Sequence, residues 1–127
     1  MTVVADASVV VDLLRGEITR AGLDALGDDV VAPELMWIEV TAALGKLVRR
    51  DLLSELDAAL LLEVLDGLPI EMLPVRDVLA RAFELRDRVS VYDACYLALA
   101  EAEGAVLVTT DGRLGGAHGL PVDIVVV

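Results

Sequence analysis

Ser90-Val91-Tyr92-Asp93-Ala94-Cys95-Tyr96-Leu97-Ala98-Leu99-Ala100-Glu101-Ala102-Glu103-Gly104-Ala105-Val106-Leu107-Val108-Thr109-Thr110-Asp111 contains a helix-to-strand unit in one reading. Ser90 precedes an apolar run and suits a helix N-cap, because its hydroxyl can accept a free amide hydrogen of the first turn. The helix is predicted to reach about Glu103, where Gly104 can take the left-handed backbone that ends it. Ala105 to Thr109 is short, apolar and β-branched, as in a strand buried on both faces. An acid, Asp111, stands immediately beyond it.

The same punctuation recurs on both sides. Thr2 to Ala5 predicts a strand that ends at Asp6, and Ala7 to Arg15 a helix stopped by Gly16. Ile18 to Leu26 reads as a second short helix and Val30 to Ala32 as a brief strand. Pro33 suits a first helical position, with Glu34 to Arg50 continuing as a long helix. Ser54 to Leu65 is another helix, closed by Gly67 and Pro69. Ile70 to Leu73 predicts a strand, Asp77 to Arg88 a helix, and Val122 to Val127 a last strand after a Gly-rich turn or short helix. Strands separated by helices require crossover connections, which give a mostly parallel sheet with helices on both faces, a three-layer α/β/α class. Ligands bind such sheets at the carboxyl ends of strands, which is where Asp6 and Asp111 stand.

The 127 residues suit one compact domain, taken as 1–127. Hydrophobic residues are 57 % and aromatics 3 %, so the core must be aliphatic. Mean hydropathy of +0.68 excludes a disordered chain and leaves more apolar surface than a small domain buries. A homodimer or an obligate partner is therefore expected. No apolar stretch approaches the ~20 residues of a membrane span. The N-terminus reaches Asp6 without a basic segment, so no signal peptide is read and a cytoplasmic location is the default expectation. Cys95 is the single cysteine, expected in the core. The net charge of −12 opposes free-standing nucleic-acid binding but suits a carboxylate metal site and a basic protein partner.

Three acids have an ordinary local explanation. Asp6 can N-cap the helix after it, Asp93 completes a capping-box pattern with Ser90, and Asp111 suits a turn or cap. Glu39 is different. At 100° per residue Glu39, Lys46 and Arg50 share one narrow wedge of an otherwise apolar helix, which is either a solvent face or the wall of a site. Capping links none of the acids to another, whereas a hard cation such as Mg²⁺ or Mn²⁺ needs several carboxylate oxygens together. One cysteine and one histidine make zinc a poor match. His118, among glycines, reads as a loop residue.

Four segments carry a resemblance along essentially the whole chain: Val4-Ala5-Asp6-Ala7-Ser8, Trp37-Ile38-Glu39-Val40, Ser90 to Ala100, and Leu107-Val108-Thr109-Thr110-Asp111-Gly112-Arg113-Leu114. In order and spacing they resemble the PIN-domain ribonucleases, and among them the toxin components of VapBC toxin–antitoxin modules. The resemblance implies a five-stranded parallel sheet. It implies that Asp6, Glu39, Asp93 and Asp111 converge as metal-binding and catalytic carboxylates, with Ser8 and Thr109 orienting them through hydrogen bonds. It also implies RNA as substrate, a VapB-like antitoxin as partner, and products with 5′-phosphate and 3′-hydroxyl ends. Some members carry a further acid after the last one. Gly112 and Arg113 stand there in this chain, which withholds a ligand from a second metal site and offers Arg113 to a phosphate or an acidic neighbour.

The chemistry expected is metal-assisted phosphodiester hydrolysis, with Mg²⁺ or Mn²⁺ as cofactor and Glu39 as water-mediated ligand or base. Phosphate contacts are expected from Arg15, Lys46, Arg49, Arg50 and Arg113. Two rivals predict otherwise. A non-catalytic module of the same fold predicts no cleavage, and retention of all four acids argues against it. A receiver-like phosphoacceptor usually needs a late lysine, and this chain has none after Lys46. A DNA-directed nuclease is the nearest enzymatic alternative.

Overall fold

A computed structural model describes residues 1–127. Five strands form one sheet: β1 (Thr2–Ala5), β2 (Asp29–Pro33), β3 (Ile70–Leu73), β4 (Val106–Thr109) and β5 (Ile124–Val126). Their order is β3-β2-β1-β4-β5 and every neighbouring pair is parallel. Parallel neighbours require long crossovers. These are α1 (Ala7–Leu14) and α2 (Arg20–Leu26), α3 (Leu35–Arg49) and α4 (Glu55–Gly67), α5 (Leu79–Glu84) and α6 (Val91–Glu103), and the short α7 (Gly112–Gly115). Helices α1, α3 and α4 pack together, while α5 packs on α6, and α6 lies across β1, β2 and β4. The result is the expected three-layer α/β/α fold with a five-stranded sheet.

The strand order reverses direction between β1 and β4. The chain steps outward from β1 through β2 to β3, then returns to the other side of β1. Crossovers on either side of such a point lie on opposite faces, and a crevice opens at the carboxyl ends of the two central strands. Ala5 pairs with Val108 in register, so Asp6 emerges beside Thr109, with Asp111 two residues further along the same edge.

The core is an aliphatic cluster of 28 buried residues. Its axis is α6, buried without interruption from Ala94 to Ala100 and apolar around its whole circumference, as a helix enclosed on every side must be. Cys95 lies within it. Ser90 accepts the Asp93 N–H at 3.1 Å, and Gly104 ends the helix in left-handed backbone at φ +62.

Two local expectations are corrected. Pro33 closes β2, pairing with Leu73, and α3 begins only at Leu35. A strand end is the place in a sheet where a missing N–H breaks no ladder bond, and the next bond is made by Glu34 N–H to Leu73 O at 2.8 Å. The helix read over Asp77 to Arg88 is a single 3-10 turn (Arg76–Val78), then α5, then turns. Amides of Leu85, Arg86 and Arg88 bond three residues back, tightening the chain so that Val78 and Leu85 are both buried. Ile38 is 69 % exposed, as are Leu56, Leu60 and Val64 along one side of α4 and Leu79 and Phe83 on α5. The apolar surplus therefore surfaces as stripes on several helices. No helix is long and apolar enough to cross a membrane.

Candidate active site

Asp6 is fixed first. It is 9 % exposed, N-caps α1 by accepting the Ala7 N–H at 2.8 Å, and uses its other oxygen to accept from Thr109 Oγ1 at 2.7 Å and Ser8 Oγ at 3.0 Å. Thr109 and Ser8 are bound in turn, because Thr109 Oγ1 accepts the Asp111 N–H at 3.0 Å and Ser8 Oγ accepts the Thr110 N–H at 3.1 Å. Two hydroxyls thus tie the end of β1 to the end of β4. The capping role inferred for Asp6 is real, and its second oxygen is held independently of it.

Asp6, Ser8, Asp12, Glu39, Ala43, Asp93 and Thr110 line one open cleft of about 430 Å³. Asp93 also faces an adjoining hollow with Asp111, Arg113, Arg88 and Ser90. The structure thus brings Asp6, Glu39 and Asp93 to one cleft, with Asp111 beyond Asp93. Asp111 caps α7 through the Arg113 N–H at 2.9 Å and is paired with the Arg113 guanidinium at 3.2 Å. That guanidinium holds the Asp111 carboxyl below the usual carboxylate range. No three acidic, histidine or cysteine side chains stand close enough to hold one cation as placed.

The charges in the cleft act on one another. Burial pushes the Glu39 carboxyl above its ordinary value, the charges of Asp6 and Asp93 push it further, and only Tyr96 opposes. Asp93 is raised by burial and then by Asp6 and Asp111, against weaker help from Ser90 and Arg113. Groups with raised folded values bind protons more tightly folded than unfolded. Their contribution to stability is therefore complete below ordinary carboxylate values, 4.5 for Glu39 and 3.8 for Asp93, and is lost as pH rises through the raised values. In chelator, the double variant Glu39→Gln, Asp93→Asn is expected to flatten that fall. Urea denaturation between pH 4 and pH 7 measures it, and parallel curves for the two proteins would refute the coupling. Asp111 shifts the opposite way but is partly exposed and contributes little.

The donor set fits a hard divalent cation. Every polar side-chain atom lining the cleft is an oxygen, and neither His118 nor the core thiol of Cys95 is among them. A cation would also offset the repulsion that raises Glu39 and Asp93. Asp6, Glu39 and Asp93 line the cleft and would hold it once their side chains drew together, while Asp111 would first have to leave Arg113.

The basic residues are largely elsewhere. Arg15 pairs with Glu17 at 3.2 Å in a separate hollow beside Leu53 and Asp57. Lys46, Arg49 and Arg50 are exposed at the far end of α3 and line neither the cleft nor its neighbour. Of the expected phosphate contacts only Arg113 stands at the site. Sequence reading missed Asp12, although it follows Ser8 by four residues and so shares that face of α1. It also missed Arg88, which a turn carries in from outside any regular pattern.

A PIN domain model matches residues 3–117. Ribonuclease VapC1 of Mycobacterium tuberculosis is 39 % identical over 127 residues, covering 95 % of this chain and 94 % of that protein. Ribonuclease VapC12 of the same species is 36 % identical over 121 residues, covering 92 % of each. Among solved structures, VapBC-5 of M. tuberculosis, a member of the VapBC family of toxin–antitoxin systems, superposes with a TM-score of 0.61 at 23 % identity, covering 99 % of this chain and 98 % of that one.

Proposed function

The chain belongs to the PIN-domain family, and from that premise we propose that it is the toxin of a toxin–antitoxin pair, an endoribonuclease that hydrolyses RNA with Mg²⁺ or Mn²⁺ at the Asp6, Glu39, Asp93 and Asp111 carboxylates. The observation that carries the reading is the all-oxygen cleft at the reversal point of the sheet, lined by four acids: Asp6 at the N-cap of α1, Asp12 on α1, Glu39 on α3 and Asp93 on α6.

A bound divalent cation supplies Lewis acidity there, lowering the pKa of water and offsetting charge that gathers on the phosphoryl oxygens. The protein supplies position. Asp6 is immobilised by three hydrogen bonds, so its outward lone pairs keep one orientation. Glu39, on α3 beside Asp6 and Asp93 in the cleft, is placed to orient an attacking water or to accept its proton. Asp93 joins the cleft to the Arg113 side, where that exposed guanidinium can meet a phosphate of the strand. With a net charge of −12, long-range attraction of RNA is absent, and binding depends on contacts within ~8 Å at physiological salt.

The same charge and the apolar stripes on α3, α4 and α5 favour a basic, amphipathic antitoxin and a homodimer. The Asp111–Arg113 pair favours a second reading, a non-catalytic module whose cleft never closes on a cation. Incubation of mixed cellular RNA with the protein separates the two. Cleavage with Mg²⁺ or Mn²⁺ and none in EDTA is expected; intact RNA with every metal would support the module. The cation is also expected to raise the melting temperature. At a hundredfold excess over Kd, binding stabilises by about 2.7 kcal/mol, roughly 10 °C for a domain of this size. Unchanged melting in millimolar Mn²⁺ would count against a cation site.

A further inference from the structure

Tyr96 is 1 % exposed, and its hydroxyl is the one buried side-chain polar atom in the protein without a hydrogen-bond partner. It sits on α6 one turn after Asp93, so both project from the same face of that helix. Asp93 lines the cleft with Asp6 and Glu39, so this face of α6 carries the buried Tyr96 hydroxyl toward the underside of the cleft, where the three carboxylates act on it. Glu39 is nearest in effect. The pair nevertheless stops short of full hydrogen-bond geometry. Every other member of this helix from Ala94 to Ala100 is apolar or the Cys95 thiol, so a phenylalanine would serve packing equally well.

An unpartnered hydroxyl in a core costs free energy and is retained where something other than stability requires it. We propose that Tyr96 is the positioning residue for Glu39: in the cation-loaded protein its phenol donates to the Glu39 carboxylate and fixes which oxygen is presented to the cleft. The inference rests on the reading of the cleft as a divalent-cation site. It accounts for a hydroxyl kept in the core without a partner of its own. It also explains why a tyrosine stands among small apolar residues.

The test is Tyr96→Phe beside wild type, with three readouts. Melting in EDTA is expected to be equal or higher for the variant, because an unsatisfied polar atom has been removed. Calorimetric titration with Mn²⁺ is expected to show binding about ten-fold weaker, the usual loss when a group orienting a metal ligand is deleted. Tyr92 and Tyr96 are the only tyrosines, so the ring ¹³Cζ resonance missing from the variant identifies Tyr96, and Mg²⁺ should shift it in wild type as the bond forms. Wild type that fails to bind Mn²⁺ would remove the cation reading and this inference with it. Wild type that binds, with equal affinity in the variant or an unmoved Tyr96 resonance, would overturn the positioning role alone. A lower melting temperature of the variant in EDTA would mark the hydroxyl as a structural bond and overturn it too.

Discussion

Asp93→Asn is expected to lower the rate of RNA cleavage by at least about a hundredfold while leaving the folded protein, in chelator, no less stable than wild type. The two effects have separate origins. Removing one preorganised charged group from a site that stabilises developing charge typically costs about 10²- to 10³-fold in rate. The stability term has a sign that the protein itself supplies. Asp93 sits in the first turn of α6, where the helix dipole favours an anion by about 0.3–1 kcal/mol. Its carboxyl is nevertheless raised, chiefly by burial and then by the charge of Asp6, so neutralising it is expected to relieve at least as much as it gives up. The Ser90 cap bonds the Asp93 backbone N–H and survives the change. Thermal melts and initial rates on one preparation measure both. A variant that melted well below wild type would show that Asp93 is there to hold α6, and a variant that cleaved normally would remove it from the site.

Thr109→Val is expected to cost about 1–3 kcal/mol of stability and about ten- to a hundredfold in activity. Valine keeps the shape and removes the hydroxyl. At this fully buried position the hydroxyl donates to Asp6 Oδ2 and accepts the Asp111 N–H, so one substitution loosens two acids on different strands. Ser8 still reaches Asp6 Oδ2, which limits the loss. Thr109→Ser separates the causes, since it keeps both hydrogen bonds and loses only a buried methyl, worth roughly 1 kcal/mol. Activity should survive in the serine variant and fall in the valine variant. Equal activity in the two would mean that Asp6 needs no bond from β4.

These expectations depend on how far the chain announces its own structure. The sheet was readable because Val3-Val4-Ala5 and Val106-Leu107-Val108 are short apolar runs that end at acids, and helices long enough for crossovers lie between them. Position along the chain thus placed Asp6 and Asp111 at the strand ends, and strand order then set those two strands beside each other. Asp93 could be placed because Ser90 and Gly104 fix both ends of its helix. The misreadings share one cause, which is tertiary burial. Pro33 carries the signal of a helix start, but its neighbours were already committed to a ladder with β3. Leu85 fits a helical period, yet the chain shortened its hydrogen bonds to bury it.

The site was less legible than the fold. The wedge of Glu39, Lys46 and Arg50 is geometrically sound, but three turns of helix carry its basic end away from the cleft, and periodicity gives direction without distance. The sequence offers Arg113 to a phosphate or to an acidic neighbour, and in the folded chain it pairs with Asp111. Tyr96 gave a signal that went unread, one polar atom in a run of seven buried residues.

The account stands or falls on hydrolysis at the carboxylate cleft, and the most direct measurement is the chemistry of the ends it creates. RNA cleaved by the wild type in Mg²⁺ or Mn²⁺, with Asp93→Asn purified in parallel to expose contaminating nucleases, should carry new 5′-phosphate and 3′-hydroxyl ends. Those ends should be absent in EDTA and from the variant. New ends bearing a 2′,3′-cyclic phosphate, or cleavage that persists in EDTA and in the variant, would contradict it.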